Sequence, residues 1–364
     1  MLKNSELHNE DKLLLQLTQP EPTVSYHNSF KRYGENVNWQ SLLYRAAKGG
    51  VAPLLYKNLI KSKHKINIPE EVEKKLSKHY FYSFTTNTRF QIEAGNIAAL
   101  LSEKQIPIIA LKGLALGDFL YQDTALRPMT DIDLLIPDSQ IETALQVLLK
   151  NNYLQFVPKT SFTRNIRLNH QIPLKKGDIN IELHRDILPA HHRFHVDIER
   201  FWHDTEKLPG RLHYYSRFSL DNQLIHLCLH LKHHININQF RLIWLIDIVY
   251  LLQKHAKSLD WERFYATMEK DGITAPVVSI LQLVEEYFLP QAAFIRTDLR
   301  SKTDKNFKNR FIRALQNPDI TKRDEPNLDY IKKLKNIKGK KQKLHYIIAQ
   351  LFPSLKYIKH HYHL

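Results

Sequence analysis

Cysteine is almost absent from this 364-residue sequence: Cys228 is the single example, so an internal disulfide framework is excluded. The first residues, Met1 to Asp11, contain no apolar signal segment, and we therefore expect a cytoplasmic protein. Long apolar runs are also missing. The most hydrophobic predicted helix, residues 240–252, is too short to cross a bilayer and contains Arg241 and Asp247, so we expect no transmembrane segment.

Several catalytic motifs are missing as well. The sequence has no Gly-x-Ser-x-Gly pattern, which argues against a serine hydrolase. His226 and His230 have the spacing of two zinc ligands on one helix face. They lack the glutamate of a His-Glu-x-x-His motif and a nearby cysteine cluster, so we interpret them as packed helix histidines.

The length and a hydrophobic content of 43% are sufficient for a large buried core. Hydrophobic periodicity predicts an α/β (α+β) fold. Residues 1–38 are polar and weakly patterned, so the first helix is predicted to begin near Trp39. The predicted organisation is an N-terminal helical region over 1–105, a core with a sheet over 106–220, a C-terminal helical region over 221–300 and a tail over 301–364.

Positive charge is in excess and is concentrated in the tail. Residues 301–364 contain 16 Lys and Arg against 5 Asp and Glu. Within the tail, residues 330–352 mix lysines with apolar residues at near-helical spacing, after a predicted linker over 318–327. Such a segment either binds an anionic partner, such as nucleic acid or a membrane surface, or forms a solvated helix face. The tail carries no helix-turn-helix or RRM signature, and the solvated face is favoured.

The most informative pattern begins at Ile106. The apolar run from Ile106 to Leu111 predicts a buried strand, and Lys112-Gly113 predicts a turn. A short helix is predicted to follow from Leu114 to Tyr121, and Arg127-Pro128 interrupts any continuation of that helix. The order is therefore strand, glycine turn and helix.

Two acidic residues follow on the next predicted strand, Asp131 to Ile136. Because alternate side chains of a strand point to the same face, Asp131 and Asp133 share one side of the sheet. Two carboxylates at that separation repel each other unless a cation lies between them. The arrangement is typical of proteins that handle metal-bound phosphates.

A metal site for phosphoryl chemistry usually needs a third carboxylate from a neighbouring strand. In the segment Ile179 to His184, the apolar side chains occupy one face, and Glu182 and His184 occupy the other. Residues 175–178 carry the turn signal of a hairpin leading into this strand. Glu182 would lie beside the aspartates if the two strands are adjacent. Asp178 and Asp186 are nearby alternatives, although neither lies as well within the apolar strand.

The glycine turn, the Asp-x-Asp strand and the later single acid resemble the signature of the nucleotidyltransferase superfamily, which includes DNA polymerase beta. More narrowly, the pattern Leu-Lys-Gly, Tyr, Arg-Pro and Asp-Ile-Asp-Leu-Leu resembles uncharacterised bacterial nucleotidyltransferases. Residues 42–59 and 224–261 are similar to that family's flanking helices, so the resemblance covers most of residues 40–290. One departure from the superfamily is Leu114, which follows Gly113 where a serine or glycine is usual.

The resemblance implies a nucleotidyltransferase-type mixed sheet and a metal-dependent transfer of a nucleoside monophosphate from an NTP, such as ATP, to a hydroxyl or phosphate acceptor, with release of pyrophosphate. It implies that Mg²⁺, as two ions and with Mn²⁺ as an alternative, is held by Asp131, Asp133 and Glu182. Substrate contacts are implied for four further residues: Lys112, Gly113, Arg127 and His184.

Several alternatives stay open at this point. Lys112 either binds triphosphate oxygens or extends into solvent at the strand end. Arg127 and His184 either contact the substrate or stabilise the structure. The fold could also serve as an inactive binding module, or as a toxin-like modifier of tRNA or protein. The intact set of acids argues against the binding module, but nothing in the sequence identifies the acceptor.

Overall fold

The computed structural model describes residues 7–20, 26–34, 37–61, 67–155, 170–188, 194, 196–208, 212–318, 337 and 340–351. The chain divides into two compact units. The first combines Met1–Arg89, Leu116–Met129 and Leu220–Arg323, and the second combines Phe90–Ala115, Thr130–Ser219 and Asp324–Leu364. The four-region division derived from the sequence stays a prediction.

The N-terminal part of the chain is helical. Its helices are α1 (Asn9–Leu17), α2 (Tyr26–Tyr33), α3 (Trp39–Lys48), α4 (Ala52–Lys61) and α5 (Glu70–Ser102). The prediction that no helix precedes Trp39 is wrong. Residues 13–15 of α1 are consecutive leucines and give no clean helical period, yet all three are at most 2% exposed because α1 packs on α2, α3 and α4.

The second unit is built on a mixed sheet. Its described strands are β1 (Ile108–Ala110), β2 (Ile132–Leu135), β3 (Leu154–Gln155), β4 (Gln171–Lys176), β5 (Ile179–His184), β6 (Thr205–Lys207) and β7 (Tyr215–Phe218), in the order β3-β4-β5-β2-β1-β7-β6. The β2–β5 and β1–β7 pairs are parallel, and the other pairs are antiparallel. The predicted α/β (α+β) fold is confirmed.

Short helices connect these strands: α6 (Lys112–Leu116) with a π-helical turn over Gly117–Tyr121, α7 (Ile141–Lys150) and α8 (Ile198–His203). The predicted hairpin is also confirmed, because Gly177 and Asp178 join β4 to β5 and Lys176 pairs with Ile179. Gly177 has φ +58°, a conformation that glycine adopts more readily than other residues and that tight hairpin turns require.

Helices resume after β7, as the periodicity of the sequence predicts. They are α9 (Leu220–Asn236), α10 (Leu242–His255), α11 (Trp261–Lys270), α12 (Thr274–Tyr287), α13 (Phe307–Gln316) and α14 (Lys340–Leu351). His230 packs beside Trp244 of α10, with ring centroids 4.9 Å apart, in keeping with a packed helix histidine. Among the described helices, none is both long and apolar enough to span a bilayer. In the predicted linker and basic tail, residues 319–336, 338–339 and 352–364 lie outside the described residues.

Candidate active site

The register of two neighbouring strands brings the predicted acids together. Asp133 of β2 is the direct partner of Glu182 of β5 in a parallel pair. On the opposite face, Ile181 and Leu183 are fully buried, so the alternation predicted for β5 is confirmed. Because paired residues of adjacent strands project to the same side, both carboxylates rise from one face of the sheet.

The Asp133 carboxylate is buried and has two cationic or polar partners on one oxygen. Lys112 Nζ lies 2.6 Å from Asp133 Oδ1, and His184 Nε2 lies 2.8 Å from the same atom. The backbone N–H of Leu111 donates to the Asp133 carbonyl oxygen at 3.0 Å, which ties the end of β1 to β2. Lys112 therefore leaves the sheet directly beside the acid that it contacts.

Lys112 has an unusual backbone conformation. Its φ of +46° lies in the left-handed region, which costs a residue with a Cβ atom about 1 kcal/mol or more. The conformation occurs where β1 turns into α6, and the Lys112 side chain is 17% exposed. Gly113 follows in the first turn of α6. The turn thus directs the Lys112 ammonium to the Asp133 carboxylate instead of into solvent.

Glu182 accepts a hydrogen bond from a residue of a third strand, β4, and its side chain is more exposed to solvent than that of Asp133. Gln171 Nε2 of β4 donates to Glu182 Oε1 at 2.9 Å. The other oxygen, Oε2, lies 3.4 Å from His184 Nε2, and the Glu182 side chain is 22% exposed. Gln171 was not singled out from the sequence. A two-residue turn at Gly177-Asp178 does, however, set the hairpin register and places Gln171 opposite His184.

Asp131 immediately precedes β2 and lies at the edge of this cluster. Thr130 Oγ1 donates to Asp131 Oδ1 at 3.3 Å. Among the described residues, the group whose potential ligand atoms all lie within 4.8 Å of one another consists of Asp133, Glu182 and His184. The structure therefore brings two of the three predicted acids together with a histidine, while Asp131 acts on the cluster through its charge.

The electrostatics of the cluster favour its charged forms. Burial lowers the pKa of Lys112, but the carboxylates of Asp133, Asp131 and Glu182 together raise it above its usual value. Burial raises the pKa of Asp133, and the Lys112 ammonium and the His184 hydrogen bond outweigh that effect and hold it well below its usual range. Burial lowers the pKa of His184, and its hydrogen bonds to Asp133 and Glu182 reverse the direction.

Arg127 lies in a different environment, within the first unit. Its Nη2 lies 2.9 Å from Asp247 Oδ2, and its Nε donates to Asp247 Oδ1 at 3.3 Å. Tyr121 also donates to Asp247 Oδ1, at 2.6 Å, and Asn87 donates to the Arg127 carbonyl oxygen at 2.9 Å. The structure thus places Arg127 in a buried ion pair with a residue that sequence reasoning did not connect to it.

The sequence matches the model of a protein family described as an uncharacterised nucleotidyltransferase over residues 35–289, more than half of the chain. The chain belongs to this nucleotidyltransferase family. The family and activity that the motifs implied are confirmed at that level: the protein is a nucleotidyltransferase, and the family implies an NTP substrate. No curated protein matches the sequence.

The residues of this nucleotidyltransferase fit a divalent cation. Asp133 and Glu182 supply carboxylate oxygens and His184 supplies an imidazole nitrogen within 4.8 Å of one another, which are donor types that divalent metals accept. The Lys112 ammonium contacts Asp133 and supplies positive charge at the place where a metal cation would bind. The three carboxylates of Asp131, Asp133 and Glu182 outnumber the Lys112 ammonium and the His184 imidazole, which leaves negative charge for a further cation to neutralise.

Proposed function

We propose that this nucleotidyltransferase moves a nucleoside monophosphate from an NTP to a hydroxyl or phosphate oxygen of an acceptor and releases pyrophosphate. The observation that carries the proposal is the pairing of Asp133 with Glu182 on adjacent parallel strands, beneath the ammonium of Lys112. The acids and the ammonium that we propose as the phosphate ligand therefore share one face of the sheet, as transfer between two oxygens requires.

Asp131, Asp133 and Glu182 are the proposed holders of the divalent cation, with Mg²⁺ and Mn²⁺ as the candidates. When bound, such ions stabilise the charge that develops on the entering and leaving oxygens. The remaining contributions come from the side chains of the protein. They are binding of the triphosphate, orientation of the acceptor and removal of its proton.

Lys112 is the proposed triphosphate ligand. Its ammonium is held at 2.6 Å from Asp133 while the side chain keeps some access to solvent. With a divalent cation held by Asp133, the ammonium would be available for charge-assisted hydrogen bonds to phosphate oxygens. Gly113 and the first turn of α6 follow Lys112, and their backbone N–H groups are the proposed neighbours of the leaving pyrophosphate.

Glu182 is the proposed acceptor-activating residue. Its Oε1 is oriented by Gln171, and its partly exposed side chain can accept a proton from an acceptor hydroxyl. His184 is the proposed contact to the substrate or the metal on the same face. Arg127 is assigned to the structure of the protein instead, because Asp247 engages its guanidinium from both carboxylate oxygens.

The test determines which phosphate of the NTP is transferred, with nucleotides labelled at a known phosphate. Purified protein is incubated with each α-labelled NTP, Mg²⁺ and a cell extract, in parallel with γ-labelled NTP. Transfer is counted as labelling above that of the extract alone, and we expect the protein to add label to RNA, protein or a small molecule from the α position and not from the γ position. The Asp133→Asn variant should lose transfer, and Asp178→Asn, in the exposed hairpin turn, should keep it. Transfer from the γ position, or NTP binding without transfer from any nucleotide, would contradict the proposal.

A further inference from the structure

The Nε2 atom of His184 lies between two carboxylates, in the kind of position that a bound cation occupies. Its Nε2 lies 2.8 Å from Asp133 Oδ1 of β2 and 3.4 Å from Glu182 Oε2 of its own strand. The residue is 3% exposed, so this nitrogen faces the cluster rather than bulk solvent. A carboxylate oxygen from each of two neighbouring strands therefore converges on one imidazole nitrogen.

The imidazole is held firmly in this position. The backbone of His184 pairs with Leu135 of β2 and with Gln171 of β4, so its strand is hydrogen-bonded on both sides. The N–H of Ile136 donates to the His184 carbonyl oxygen at 2.9 Å. The ring of His170 packs edge-on against the ring, with centroids 5.7 Å apart. These contacts fix the backbone that carries the imidazole, and a preorganised ligand binds a metal more tightly than a mobile one.

We infer that His184 is itself a metal ligand through Nε2, whose proton is released to solvent when the ion binds, and that this nitrogen makes the site prefer a first-row transition ion to Mg²⁺. The inference rests on the proposed function, because it concerns the cation of the same site. Mg²⁺ requires oxygen ligands in strict octahedral geometry and binds imidazole poorly. Transition ions accept mixed carboxylate and imidazole sets, and Asp133, Glu182 and His184 form such a set.

Manganese is the probe for this inference, because Mn²⁺ is paramagnetic and reports the nitrogen nuclei that bind to it. Full-length protein is loaded with MnCl₂, alone and with a non-hydrolysable NTP analogue, and examined by electron spin echo envelope modulation. We expect ¹⁴N modulation that is replaced by the ¹⁵N pattern after labelling with ¹⁵N-histidine. His184→Gln should abolish the nitrogen signal. His170→Gln removes the neighbouring imidazole and is the matched control, so it should keep the nitrogen signal.

Calorimetry provides the second measurement. We expect the wild-type protein to bind Mn²⁺ more tightly than Mg²⁺, and we expect His184→Gln to weaken Mn²⁺ binding by about tenfold or more while changing Mg²⁺ binding much less. Glutamine retains a polar group near the position of Nε2, and thermal melting establishes that the variant is folded. If His184→Gln does not fold, the absence of a histidine nitrogen signal from the wild-type protein still overturns the inference, and loss of the signal in His184→Asn supports it.

The outcomes separate this inference from the proposed function. Bound Mn²⁺ that Asp133→Asn removes but that shows no histidine nitrogen would overturn the role of His184 and leave the metal-dependent transfer standing. Equal loss of Mg²⁺ and Mn²⁺ affinity in His184→Gln would also overturn the preference. Absence of any divalent-cation binding, with or without the NTP analogue, would contradict both proposals.

Discussion

Two buried aspartates in this protein have opposite surroundings. Asp247 is fully buried and belongs to one balanced pair, in which Arg127 contacts both of its oxygens and Tyr121 donates to one of them. Asp133 is almost as buried, yet Lys112 and His184 both contact a single oxygen. Further carboxylates lie nearby, and the side chain of Glu182 remains partly exposed.

The difference shows that burial alone does not distinguish a structural acid from a functional one. At Asp247, one acid and one base neutralise each other in a bidentate geometry that needs no additional ligand. At Asp133, the acids outnumber the fixed cations, and the Lys112 and Glu182 side chains reach solvent. Unbalanced charge together with access favours a site that binds something else, and four predictions test this contrast.

The largest effect is expected for Asp133→Asn. Asparagine has nearly the same size but carries no charge, so the cluster loses its central carboxylate. We expect nucleotidyl transfer from α-labelled NTP to fall by about three orders of magnitude, because metal-held charge stabilisation contributes several kcal/mol to such reactions. The rate is measured with the labelling assay at saturating NTP.

Asp178→Asn is the matched control for this substitution, because Asp178 is also an acid near β5 but lies in the exposed turn. It should transfer label at the wild-type rate. Retention of transfer in Asp133→Asn, with loss in Asp178→Asn, would place the site elsewhere and remove the contrast between Asp133 and Asp247.

Asp247→Leu should act on stability. The substitution leaves the Arg127 guanidinium buried without its acid, and breaking a buried pair in this way typically costs about 3–5 kcal/mol of unfolding free energy. The free energy is measured by urea denaturation. The double variant Arg127→Met, Asp247→Leu should recover a large part of the loss, because no isolated charge remains. A single variant within about 1 kcal/mol of wild type would show that the pair is not structural.

Glu182→Gln should lower turnover more than binding. The Gln side chain keeps the size and hydrogen-bonding capacity of Glu182 but cannot accept the acceptor's proton, so we expect turnover to fall by about 100-fold. NTP affinity, measured by calorimetry, should change much less because Lys112 and Asp133 remain. Near-normal turnover here, combined with inactivity of Asp178→Asn or Asp186→Asn, would assign the third acid to one of those positions.

Gln171→Leu should have the smallest effect of the four. Leucine removes the hydrogen bond that orients Glu182 Oε1, at a site that is only partly buried. We expect turnover to fall about fivefold, equivalent to roughly 1 kcal/mol, which is the usual value of one hydrogen bond. KM for NTP and the melting temperature should stay close to wild type. A raised KM with unchanged turnover would instead assign Gln171 to nucleotide binding.

Sequence patterns determined the local features of the fold and of the site. Alternation along residues 179–184 predicted which face carries Glu182, and the Gly177-Asp178 turn predicted the hairpin, because both depend on neighbouring residues alone. The same reasoning missed α1, whose run of leucines has no clear period. It also left the roles of Lys112, Arg127 and His184 open, because the partners of these side chains lie far away along the chain.

Only the tertiary structure decided which charged groups meet. Asp247 follows Arg127 by 120 residues and His184 follows Asp133 by 51, and no local pattern measures such separations. Strand order placed β5 beside β2, which set Glu182 opposite Asp133 and added Gln171 from β4. The sequence by itself therefore determined which residues could form a phosphate-handling site. Packing decided their partners, because a buried polar group lowers stability unless a partner lies within reach in three dimensions.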